Sequence, residues 1–220
     1  MAMLSAMVRY LICRGIRLLP VLAIVGLFGG NLIGPAAVAE PADELEQSPA
    51  ETEPPASEKS RHQILTELYD SLRQASDEDS AELIANAIEK LWLRSGSDTV
   101  DLLMSRAIQM VNEEDLDIAL KIFDSVVSLA PDYSEGWNQR ATVYFLKKDY
   151  ESSLNDLRRV LRLDPRHFKA ISGLGLIMQE LGDKESALRA FRHVLKVHPH
   201  LGVARRSVEE LTREVEGQGI

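Results

Sequence analysis

Three histidines, His193, His198 and His200, crowd the stretch "LRAFRHVLKVHPH" near the carboxy-terminal end of this 220-residue chain. Imidazole is a common metal ligand, so the spacing raises a metal site. The neighbours argue against one. His193 belongs to a helical pattern, whereas His198 and His200 bracket Pro199, which ends that pattern, so the three rings are expected to point apart. No cysteine or closely spaced carboxylate joins them. Hydrolytic and phosphoryl-transfer chemistry fares no better. There is no G-x-S-x-G, no H-E-x-x-H and no phosphate-cradling glycine loop, and "GLG" at 173 to 175 sits inside a helical pattern as a packing feature. We expect no catalytic residues, no metal and no cofactor.

The elements that carry these histidines are helical throughout. From Ser60 onward apolar residues recur at three- and four-residue steps, and no Asn-Gly or Asp-Gly hairpin signal interrupts them. The domain is therefore expected to be all-α. A period of 34 residues then organises it. Asp115, Asp149 and Asp183 are separated by that interval. So are Ala119, Ser153 and Ala187; Phe123, Leu157 and Phe191; Ala107, Ala141 and Gly175; and Pro131, Pro165 and Pro199.

Each column has a physical reason. The small residues let paired helices approach closely. The aspartates are placed to accept from free backbone N–H groups at the starts of the second helices. The prolines stop each unit by removing a donor and disfavouring helix before them.

Over residues 100–199 these columns, with Trp137 and Tyr144 in the middle unit, closely resemble the tetratricopeptide repeat. The departures are mild: Ser153 for the usual Ala, Leu157 for the usual Phe, and Arg106 and Arg140 where Leu174 fits the family pattern. The resemblance implies a right-handed superhelical solenoid of helix-turn-helix units at 100–133, 134–167 and 168–201. Residues 60–97 read as a degenerate helix pair capping the first unit, and residues 201–216 as a carboxy-terminal capping helix.

The resemblance also implies a concave groove, lined by the first helix of each unit, that holds a protein or peptide segment. By phase its candidate lining is Asp101, Met104 and Ile108 from the first unit, Glu135, Asn138, Thr142 and Phe145 from the second, and Lys169, Ser172, Leu176 and Gln179 from the third, of which Met104, Ile108, Asn138, Thr142, Phe145, Lys169, Ser172 and Leu176 are the expected partner-binding residues. Met104 and Ile108 stand where groove modules that clamp a terminal carboxylate carry Lys and Asn, so an apolar or amphipathic segment is the expected occupant. Met104, Ile108 and Leu176 read equally well as helix-to-helix packing.

The amino-terminal segment has a different character. Residues 1–39 contain Arg9, Arg14 and Arg17 and no acid, then an apolar run from Leu18, then the small-residue pattern Ala37-Val38-Ala39. That order reads as a secretory signal peptide and implies a periplasmic location. An uncleaved inner-membrane anchor is the alternative, although the run is shorter than the roughly 20 residues a span requires. Residues 40–59 hold seven acids, four prolines and one leucine, which reads as a disordered acidic tether.

The whole chain has 25 basic and 34 acidic residues, a formal net charge of -9. A nucleic-acid partner is not expected of so acidic a chain. The charge is uneven, with 15 acids to 6 bases over 60–133 and 12 to 15 over 134–220. Arg158, Arg162, Arg166, Arg189, Arg192 and Lys196 therefore suggest a basic outer face that could meet an acidic partner, anionic lipid headgroups or the protein's own acidic tether.

Overall fold

The computed structural model describes residues 60–217. The expected signal peptide and acidic tether lie outside the described residues. Within them the chain forms nine α-helices: α1 (Arg61–Arg73), α2 (Glu78–Trp92), α3 (Asp98–Asn112), α4 (Leu116–Leu129), α5 (Ser134–Leu146), α6 (Tyr150–Leu163), α7 (Phe168–Glu180), α8 (Lys184–Val197) and α9 (Gly202–Glu216). Helices α3 to α8 pair as α3–α4, α5–α6 and α7–α8, each pair packing on the next, and α9 packs on α8. This is an all-α helical repeat solenoid.

Local chemistry explains the pairs. Asp115, Asp149 and Asp183 each cap a second helix, their side chains accepting from the backbone N–H of Ile118, Ser152 and Ser186. One residue earlier, the chain turns through positive φ at Glu114, Lys148 and Gly182. There the N–H of Asp115, Asp149 and Asp183 reaches back to the carbonyls of Met110, Tyr144 and Met178. Only Gly182 adopts that conformation without steric cost.

Side-chain size sets the spacing inside each pair. A Cβ on Gly175 would lie 2.8 Å from Phe191 Cζ, so this position admits nothing larger while the ring stays in place. Ser153 fills its alanine column by donating its hydroxyl to the Ala141 carbonyl at 2.8 Å.

The pair α1–α2 does not cap the first repeat, contrary to the sequence expectation. Its buried face, Tyr69, Leu72, Ala81, Ala85, Ile88 and Trp92, joins one cluster with residues of α7, α8 and α9. The reason lies in a third small-residue column. Gly136, Ala170 and Ala204 are buried at 34-residue intervals. A Cβ on Gly136 would come within 2.8 Å of Val126 Cγ1 on the preceding helix. The same column in α3 holds Leu102, too large for so close an approach, and it stands 70% exposed.

Candidate partner-binding groove

The eight residues expected to line one groove fall into three places. Met104, only 1% exposed, packs in the core of the first repeat with Val100, Phe123 and Val143, and Ile108 packs against the same core. Met104 offers no groove surface, while Ile108 is only partly buried. Asn138, Thr142, Phe145, Lys169 and Leu176 line one cleft of about 30 Å³ between α5 and α7, floored by Ala141, Leu157 and Ile177. Ser172 belongs to a separate cavity of about 60 Å³, between α2 and the beginnings of α7 and α9. The apolar column residues of α5 and α7 create the first cleft. Gly173 widens it by leaving the space beside Leu157 open.

Beside the cleft is a buried polar network. Glu135, at the start of α5, is 2% exposed. Its Oε2 accepts from His167 Nε2 at 3.0 Å and Asn138 Nδ2 at 3.2 Å, and its Oε1 from Gln139 Nε2 at 2.6 Å. Burial opposes the charge on Glu135, but His167, Lys169 and Gln139 outweigh burial and hold the carboxyl below its usual value. His167 in turn accepts the Ala170 N–H at Nδ1, capping α7, which leaves Nε2 free to donate to Glu135.

Sequence reasoning missed His167 and the residue it meets. The Trp92 ring stacks on His167 with centroids 3.8 Å apart and planes 4° from parallel, and leans on Phe168 at 4.8 Å. Lys169 Nζ pairs with Glu89 Oε2 at 2.9 Å, so its charge is engaged by α2. A signal for His167 existed. Tyr133, His167 and Leu201 form another 34-residue column immediately before a first helix, and of the three only histidine carries a side-chain acceptor suited to capping.

The remaining expected features also resolve. His193 is exposed on α8, His198 is buried edge-on against Phe168, and His200 donates from Nε2 to the Ala75 carbonyl at 2.9 Å. Among the described residues no three His, Cys, Asp or Glu side chains are grouped to hold a metal ion. The basic outer face is less free than its sequence suggests. Arg166 turns inward, lying over the Tyr69 ring at 4.5 Å and donating to Thr66 Oγ1, while Arg192 pairs with Glu216 at 2.8 Å. Among the described residues no helix is long and apolar enough to cross a membrane.

Tetratricopeptide repeat models match residues 134–167 and 170–200. A TPR repeat-containing protein of Rhizobium etli is 36% identical over 183 residues, spanning 83% of this chain and 86% of that protein. The chain belongs to the tetratricopeptide repeat family. Among solved structures, the Sgt2 TPR domain from Aspergillus fumigatus superposes with a TM-score of 0.52 at 22% identity, covering 56% of this chain and 82% of that one. The Arabidopsis OM64 TPR domain gives 0.51 at 16% identity, covering 54% and 98%. At these identities the likeness shows the tetratricopeptide fold alone. Repeats of this family are typically non-catalytic scaffolds for protein–protein interaction.

Proposed function

We propose that this tetratricopeptide protein is an exported, non-catalytic scaffold that holds an apolar or amphipathic partner segment against α5 and α7 in the bacterial periplasm. The observation that carries the reading is the cleft itself. Five of the residues expected to face a partner line one apolar hollow, with Thr142 and Phe145 on its rim half-exposed. The hollow is built on helices packed through Ala141, Leu157 and Ile177, so a partner segment meets a surface already ordered. Export is supported by the basic, apolar and small-residue order of residues 1–39.

Photocrosslinking in intact cells from a reactive residue at Thr142 tests the cleft. Capture of one protein, lost when Phe145→Arg is added to a chain that keeps its helical signal, is the expected result. Unchanged capture from Phe145→Arg would remove the cleft as the binding site. The mass of the native protein tests the location: a chain beginning at Glu40 supports cleavage and export, and an intact amino terminus supports the inner-membrane-anchored assembly factor instead.

A further inference from the structure

Helix α2 is joined to the first repeat by only the five residues 93–97, yet it packs on the third. Its contacts have the form of a ligand on a receptor. Trp92 and Glu89 lie one turn apart on a single face of α2. That turn inserts an aromatic ring against His167 and Phe168 and a carboxylate against Lys169. Helix α1 adds two polar ties, Tyr69 Oη to Asp164 at 2.6 Å and Arg166 to Thr66 at 3.0 Å.

The seam is imperfect. A cavity of about 60 Å³ separates α2 from the beginnings of α7 and α9, and His198, 4% exposed on its wall, has no hydrogen-bond partner at Nδ1 among the described residues. A buried polar atom without a partner weakens the docked arrangement relative to an opened one. The connecting segment contains Gly96 at φ 91°, a conformation open to glycine, and Ser95 holds it to Asp101 through hydrogen bonds of 2.7 and 2.6 Å. The helix pairs of the repeats are also packed by columns of their own, Gly175 against Phe191 among them, and those contacts involve neither α1 nor α2.

We propose that the surface made by the amino-terminal ends of α7 and α9 is a helix-docking site that α2 occupies in cis and vacates for a partner. The partner's chemistry follows from the occupant: an amphipathic helix carrying an aromatic side chain with a carboxylate one turn before it. The proposal deepens the scaffold reading by adding a second, covered surface, and it needs no natural partner for its test.

Hydrogen exchange of the full chain under native conditions should show α1 and α2 opening together at least tenfold more often than α3 to α8. Exchange of all nine helices in one step would overturn the proposal. A labelled peptide of residues 77–94 should bind the full-length Trp92→Ala variant at least tenfold more tightly than the parent. Adding Lys169→Glu should abolish that binding, and a peptide carrying Glu89→Lys should restore it. If Trp92→Ala loses its helical signal, the full-length Glu89→Ala variant takes its place. Absence of peptide binding to a folded, loosened variant, or indifference to Lys169→Glu, would overturn the proposal. So would a dimer that exchanges α1 and α2, which would make a second copy the occupant. Failure of crosslinking at Thr142 alone would bear on the cleft and leave these readouts intact.

Discussion

Arg140 shows what a departure from a repeat pattern can do. It stands where leucine fits the family, and it grips Asp156 through two parallel bonds of 2.8 Å while a third, also 2.8 Å, reaches Asp124 on the preceding helix. Hydrogen bonding to Asp156 raises its already high pKa further. Its guanidinium also covers the Trp137 ring at 4.8 Å. Asp156 is buried, so restoring the family's leucine would strand a carboxylate. We expect Arg140→Leu to cost about 3 kcal/mol in urea unfolding, and Arg140→Leu with Asp156→Leu to recover most of that loss. A single variant as stable as the parent would show that the pair contributes nothing.

At the scale of elements, the docking of α1–α2 should depend on acidity. Burial pushes His198 down to about 4 from an ordinary 6.5, so the docked seam holds it neutral. Around the ring are Glu78, Glu82 and Glu89 of α2, Lys169 of α7, and His200 in the turn before α9. The opened state takes up a proton on His198 below about pH 6.5, and the docked state only near pH 4. The docked arrangement is therefore fully favoured above 6.5 and loses ground as the pH falls to 4, by up to about 3 kcal/mol. Glu135, whose carboxyl is held below its usual value by His167, Lys169 and Gln139, adds a loss of folding stability in the repeats themselves at the acidic end. Trp92 fluorescence followed from pH 7 to pH 4 should report undocking in the parent and a shallower response in His198→Leu. Identical profiles would assign the transition to other groups.

For the molecule as a whole, no helix among the described residues stacks on the outer face of the first repeat. Leu102 and Ala170 share a column but differ in environment, one 70% exposed and the other fully buried. Leu102→Lys should change stability by no more than about 0.5 kcal/mol. Ala170→Leu should destabilise by about 2 kcal/mol or more, because the added side chain must displace packed neighbours. A large cost at Leu102 would mean that a helix stacks there in solution.

The repeat architecture was legible because every device that builds a pair acts over short range. A cap bonds three residues on, a proline bars its predecessor, and Ala141, Leu157, Gly175 and Phe191 recur with the helices they space. Such constraints repeat with the chain, so their period can be read along it. Part of the cleft was legible for the same reason: Thr142, Phe145 and Lys169 follow from helix phase. Met104 did not, because phase gives direction and leaves open what arrives to cover a side chain.

The position of α1–α2 was decided by contacts between residues about a hundred places apart, such as Thr66 with Arg166 and Tyr69 with Asp164. No periodicity connects such residues. Their meeting depends on loop closure across three folded repeats and on which surface best accepts Trp92. The sequence by itself thus determined the helices, their caps and the 34-residue pairing, whose causes are local. Only the tertiary structure decided which end of the solenoid the first two helices cover, because that choice is a competition among distant surfaces, lost at Leu102 and won at His167 and Phe168.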